Sequence, residues 1–243
     1  MTGPSLLRSN VLNLDPMRYA LLLSLVLLLA WLPGLWVRRV LARHGEVDSY
    51  GINGAQAARR FLDRVGLGAI KVEQAGAEGD HYDPIAQAVR LAPERMRSRS
   101  LSAVVVAAHE VGHAMQHAAH EVGFGFRIEL VKLARVAQRA GIVLFIAAPL
   151  LALVARSPLV LVVAAGVGAL GFLLAVVVHI ATLPVELDAS FGKALPLLEA
   201  GHDLRPEDYP AARSILRAAA FTYVAGAAMA LLSLGRWGGI LRG

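Results

Sequence analysis

Two histidines four residues apart, the first followed directly by a glutamate, stand at His109-Glu110-Val111-Gly112-His113. On an α-helix, side chains at that spacing lie one turn above each other, so both imidazoles can reach one ion while Glu110 stands beside it without binding. The pattern suits Zn²⁺. A carboxylate so placed can take a proton from an attacking water and hand it to a leaving amine, which is the chemistry of metal-assisted peptide hydrolysis. The chain has no cysteine. Any metal must therefore be held by His and carboxylates, and thiolate zinc sites and disulfide frameworks are excluded.

The segment that carries the motif reads as a helix. From Met96 to about Ala119 there is no proline, and Leu101, Val104, Val105, Ala108, Val111, Gly112 and Met115 recur at steps of three and four. Such a helix is largely buried, and burying two imidazoles and a carboxylate costs several kcal/mol unless they are paired or bound to a metal. A metal site is the economical reading of the pattern.

A catalytic zinc keeps three protein ligands and one open position, so one ligand is missing from the motif. His117 and His120 continue the same helix. The helical rise puts His117 about 12 Å along the axis from His109, too far to share its ion, and both are expected to form a polar edge or to support the ligands from behind, with a separate metal site as the alternative. Glu186 is the preferred third ligand, in Leu183-Pro184-Val185-Glu186-Leu187-Asp188-Ala189-Ser190. Pro184 is expected to end or kink the preceding apolar helix there. Asp188 could orient a ligand histidine through its second ring nitrogen. Glu199, Asp203 and Glu207 are weaker rivals of Glu186.

The elements that must position these groups include long apolar runs, in a chain that is 56% hydrophobic. Tyr19–Val37, Gly141–Ala155, Leu159–Leu183 and Ala218–Leu234 approach the roughly 20 helical residues that a hydrocarbon core about 30 Å thick requires. The second and fourth are short, and Arg156-Ser157-Pro158 makes a tight hairpin of the second and third. The first reads as an uncleaved anchor, because no small-residue cleavage site follows it. Arg38, Arg39 and Arg43 follow the first run, and Arg127, Lys132, Arg135 and Arg139 precede the second. By the positive-inside rule the segment between them faces the cytoplasm. Two spans later the chain returns to that side, which is where Glu186 emerges. The net charge of +6 follows from this topology. No basic face with interleaved aromatics points to nucleic acid.

Between the first two spans, Asn53-Gly54 opens a helix running to about Val65 and ended by Gly66. Ile70–Gln74 and Ala88–Leu91 alternate as strands, joined by a polar stretch that reads as a hairpin or small sheet. A strand edge beside the metal helix could pair with an extended substrate, or the sheet could serve only to pack the helices. Asp80-His81-Tyr82-Asp83-Pro84 could be turn chemistry, or could line the cleft with His81 or Tyr82 stabilising an oxyanion.

Three stretches together, Asp80–Pro84, Val106–Gln116 and Leu183–Ser190, resemble the YugP-type neutral zinc metallopeptidases of bacterial membranes. The likeness covers most of the chain from Trp36 onward. It departs from that family's usual pattern at Leu187, where an aromatic is usual, and at Phe191 or Gly192, where a basic residue is, none of them a candidate ligand. The resemblance implies a membrane-embedded, zinc-dependent peptidase of gluzincin type, in which a glutamate on a later helix completes the site, here Glu186.

The expected architecture is a mainly α membrane protein with about four transmembrane helices and a small α+β, zincin-like catalytic domain between the first and second. Residues 1–37 form an N-terminal segment and first span, 38–139 the cytoplasmic domain, 140–183 the transmembrane hairpin, 184–217 a cytoplasmic helical segment with the third ligand, and 218–243 the last span and tail. The expected setting is the bacterial inner membrane, with the lipid bilayer and peptide or protein substrates, membrane proteins among them, as partners. Two other classes stay open: a zinc-binding membrane scaffold or quality-control partner without turnover, and a metal transporter. The second would need polar groups inside the spans, where His179 is almost alone.

Overall fold

The computed structural model describes residues 34–45 and 50–222, together with Ser24 and Leu32. The protein is mainly helical with one small sheet. Most of the first and fourth apolar runs lies outside the described residues.

Helix α1 covers residues 34–43. Helix α2, Gly54–Arg64, starts at a reciprocal cap: Gln56 N donates to Asn53 Oδ1 at 2.9 Å and Asn53 N donates to Gln56 Oε1 at 3.0 Å. Its inner face, Ala57, Ala58, Phe61 and Leu62, is fully buried. Gly66, at φ +75°, ends it, with Leu67 N returning to Leu62 O at 2.8 Å.

Of the two expected arrangements, hairpin or small sheet, the chain forms the small sheet. Strands β1 (Lys71–Gln74) and β3 (Ala88–Leu91) are parallel neighbours, and β2 (His81–Asp83) pairs antiparallel with β3 on its other side. The Asp80–Pro84 stretch thus supplies a strand, and the tight turn lies after it. Asp83 Oδ1 accepts from Ile85 N and Ala86 N at 2.9 and 3.0 Å, and Gln87 at φ 48° turns the chain into β3. Arg90 crosses all three strands, reaching Glu73 at 3.2 Å and Asp83 at 2.5 Å.

The motif helix also starts later than its periodicity suggests. A short α3, Pro93–Arg97, is separated from α4, Leu101–Ala118, by Ser98-Arg99-Ser100. Ser100 caps α4 by accepting from Ala103 N at 3.3 Å, and that polar break interrupts the single helix expected from Met96. Helix α4 is buried on nearly every side, so it is the central rod of the fold.

Helix α5, Val122–Ala155, is far longer than the apolar run it contains. It bends by 48° between Val122–Leu144 and Ile146–Ala155, where the Pro149 ring opposes the carbonyl four residues back. After a turn with Arg156 at φ 48°, α6 runs antiparallel to it over Leu159–Leu187. Pro184 does not end α6. The helix passes through it into a π-helical turn, Asp188–Ala194, and then α7, Leu195–Ala200, giving one helical run of 42 residues. Among the described residues this run is long and apolar enough to cross a membrane, and bent α5 would make a second span. A 3₁₀ turn, Pro206–Asp208, leads into helix α8, residues 209–222. Phe61, Leu62, Val105, Leu198, Ile215 and Leu216 pack into one core around α4.

Candidate metal centre

Helix α4 brings His109 and His113 to one face, and the π-turn brings α6 close enough to complete that face. Gly112 makes the approach possible, since a Cβ there would lie 2.6 Å from the carbonyl oxygen of Ala189. Only a glycine lets the two backbones touch at that point.

Glu186 then meets both histidines. Its Oε2 lies 3.3 Å from His109 Nε2 and 3.3 Å from His113 Nε2, and one donor atom from each residue falls within 4.8 Å of the others. All three are buried, Glu186 to 1% exposure. Two imidazoles and a carboxylate make a donor set that suits zinc and leaves a fourth position open. The residues present therefore fit such an ion, and His109, His113 and Glu186 could hold it. Arg127, from the first turns of α5, places its guanidinium 2.8 Å from Glu186 Oε1, so the other oxygen alone faces the imidazoles.

Each histidine is also held from behind. Ser190 Oγ lies 3.0 Å from His109 Nδ1, and Gln116 Oε1 lies 3.0 Å from His113 Nδ1. Asp188, expected to meet a ligand histidine directly, instead accepts from Gln116 Nε2 at 2.8 Å and stands 3.6 Å from Lys193 Nζ. Ser190, four residues past Glu186, shares its face toward α4, while Asp188 stands at the rim with its side chain 40% exposed.

Glu110 is buried beside the group at 6% exposure. Burial pushes its carboxyl up from the usual range; His109 and His113 pull it down, and Glu186 and Asp80 add to the rise. Burial alone would lower His109, but the Glu186 and Glu110 charges outweigh it and His109 is raised, with Arg127 opposing. The charges of these groups are thus coupled to one another.

A cavity of about 770 Å³ opens onto the centre, lined by His109, Glu110, His113 and Glu186 at its floor. Strand β2 forms one wall, and Phe124, Arg127, Ile128 and Arg135 of α5 form another. Tyr82 OH lies 2.9 Å from His117 Nδ1, which ties β2 to α4. Burial first, then the Asp83 charge, pushes the Tyr82 phenol up to about 12, so it stays protonated. His120, at φ 51°, is exposed in the turn after α4. The rival carboxylates are engaged elsewhere: Glu199 with Arg213 at 2.9 Å, Asp203 with Arg64 at 2.5 Å and Glu207 with Arg205 at 4.0 Å.

A family model described as putative neutral zinc metallopeptidase matches residues 19–242. The chain belongs to that family. It is also 36% identical over 197 residues to a protein of Bacillus subtilis (strain 168) named putative membrane protease YugP, a match that covers 80% of this chain and 84% of that protein. No solved structure matches it.

Three residues of the centre escaped assignment from sequence. Arg127 belongs in sequence to the basic residues flanking the second span, and its reach to Glu186 depends on α5 starting at Val122. Gln116 and Ser190 lie inside the stretches that carry the resemblance, but outside the motif itself. Their spacing was a usable signal, since Gln116 is three residues past His113 and Ser190 four past Glu186, each on the face of its neighbour.

Proposed function

We propose that this protein is a membrane-bound zinc metalloendopeptidase, with His109, His113 and Glu186 holding the ion and Glu110 acting as general base. The observation that carries the reading is the convergence of His109 Nε2, His113 Nε2 and Glu186 Oε2, all buried, at the floor of a cavity beside Glu110. Zinc held there supplies a Lewis acid at the scissile carbonyl and makes water a nucleophile at neutral pH. The chain's own residues do the rest. The Glu110 carboxylate takes a proton from the attacking water, and as the C–N bond breaks it delivers that proton to the amine nitrogen. Burial strengthens Glu110 as a base. Arg127 keeps Glu186 Oε1 occupied and its other oxygen aimed at the imidazoles.

Strand β2 supports a peptide as substrate. It is an edge strand whose residues line the cavity, and its outer edge pairs with no strand among the described residues. An extended chain can add to that edge through main-chain hydrogen bonds and lie across the centre. Unfolded membrane proteins are the substrate class that fits a centre built against membrane helices.

The same reading keeps the four spans, the five segments 1–37, 38–139, 140–183, 184–217 and 218–243, and a catalytic domain facing the cytoplasm from the bacterial inner membrane. Apolar side chains pointing outward along α5 and α6, among them Ile146, Leu153, Val162 and Leu170, support it, as do the arginines beside the first two runs. The absence of cysteine makes the orientation testable. A Glu78→Cys protein, altered at a position 82% exposed, is expected to react with a membrane-impermeant maleimide only after the cells are opened. Labelling in intact spheroplasts overturns the orientation.

The catalytic assignment is tested in detergent on wild type, Glu110→Gln and Glu186→Ala. Zinc content and cleavage of an unfolded membrane protein are measured on each. Glu110→Gln should bind zinc as wild type does and cleave at least about 10²-fold more slowly, whereas Glu186→Ala should lose the metal. Full zinc in Glu186→Ala overturns the ligand set, and wild-type cleavage by Glu110→Gln overturns the base.

A further inference from the structure

The Nδ1 atoms of the two histidines face partners whose own protons have other acceptors within reach. Ser190 Oγ lies 3.2 Å from the Leu216 carbonyl, which can only accept, and a hydroxyl has one proton. If Ser190 donates to Leu216, it can only accept from His109, so His109 carries its proton on Nδ1. Gln116 is fixed in the same way. Its amide nitrogen donates to Val185 O at 2.9 Å and to Asp188 Oδ2 at 2.8 Å, so the atom facing His113 Nδ1 is the carbonyl oxygen. A flipped amide would set an oxygen against two acceptors. Arg127 Nη1 lies 3.5 Å from the same Nδ1, but the 3.0 Å contact with Gln116 is closer and Arg127 already reaches Glu186 at 2.8 Å. Both Ser190 and Gln116 are buried to 1% exposure or less.

We infer that Ser190 and Gln116 are positioning residues that hold His109 and His113 in the tautomer with Nδ1 protonated and Nε2 bare, the form that can bind a metal. This rests on the proposed ligand set. The consequence concerns assembly. The partners of these two residues lie on α6, the π-turn and α8, so the histidines are readied for the ion only once those elements have docked on α4. A chain with α8 undocked would keep its motif and lose much of its affinity.

Zinc affinity, by competition with a chromophoric chelator, and the visible spectrum of the Co²⁺-substituted protein test this in the full chain in detergent. Ser190→Ala and Gln116→Met should each weaken zinc binding about 10- to 100-fold. Gln116→Glu is made together with Asp188→Asn, which keeps an acceptor for His113 Nδ1 and turns the residue 188 side chain into a donor to the new carboxylate, so that no two carboxylates face each other. It should stay within a few-fold of wild type and keep the cobalt spectrum, whereas Gln116→Met should alter both. Equal losses in the Glu and Met variants mean that Gln116 only packs, and overturn the inference. Wild-type affinity in Ser190→Ala and Gln116→Met overturns it while leaving the metal site standing. Failure of wild type to bind zinc, or binding undiminished in His109→Ala, overturns the ligand set and the inference with it. Tyr50→Phe, which removes a half-buried hydrogen bond to Asp208 outside the cavity lining, gives the change expected from destabilisation alone.

Discussion

The helical run from Leu159 to Ala200 obeys opposite rules in its two halves. Up to about Ile180 its outward side chains are apolar and exposed, with Leu159, Val162, Leu170 and Ile180 each more than 60% accessible. From Thr182 onward the run turns inward, and Thr182, Glu186 and Ser190, all polar, are buried to 1% or less. A soluble helix shows water its polar face and hides its apolar one. The first half suits a hydrocarbon solvent, and the second hides polar groups because each has a partner. What separates them is the supply of hydrogen-bond partners, since Thr182 Oγ1 donates to Val178 O at 2.9 Å, Glu186 meets two imidazoles and an arginine, and Ser190 meets His109 and Leu216. Burial of polar groups is tolerated where it is paired.

The strongest way to break this contrast is to charge the first half. Leu170→Arg puts a guanidinium near the middle of the apolar segment, where insertion scales set the penalty at about 2.5–3.5 kcal/mol. The expected outcome is a large fall in the membrane-integrated fraction, read by alkaline carbonate extraction of cells. Full integration would show that this face is covered by protein and not lipid.

How much of this was legible in the sequence follows the same division. The first half is visible in composition alone, because a bilayer span needs only a run of apolar residues. The second half is not, since Glu186, Ser190 and Gln116 matter through partners up to 81 residues away. Glu186 was within reach because the motif helix demands a third ligand. The π-turn was not, because nothing in Asp188–Ala194 distinguishes a wide turn from an α-helical one. Pro184 argues for a helix end or kink there. The sheet was half legible: Lys71–Gln74 and Ala88–Leu91 alternate as strands should, but pairing direction is set by how the connection crosses. His81–Asp83 is three residues long and carries the composition of a turn.

A smaller effect is expected at the contact where the second half meets α4. Gly112→Ala forces a methyl against the Ala189 carbonyl, and overpacking of this kind costs about 1–3 kcal/mol. The π-turn must move, and Ser190 and Glu186 move with it. Thermal unfolding in detergent should occur at lower temperature and zinc affinity should fall, while membrane integration stays as in wild type. A variant destabilised with its zinc affinity intact would show that the π-turn holds the fold but not the ligands.

The smallest effect sharpens the contrast by lying outside both halves. Asn53→Ala removes one side of the cap on α2, for a loss of about 0.5–2 kcal/mol. Helix α2 packs Phe61 and Leu62 into the core but gives no side chain to the metal centre or to the apolar face. The cap therefore acts on the stability of the core alone. Thermal unfolding should shift downward, with zinc affinity and membrane integration both at wild-type values. If zinc affinity instead fell in step with stability, docking of α2 would be a condition for the ligands to converge, and the polar half of the long run would owe its order to the core beneath it as well as to its own hydrogen-bond partners.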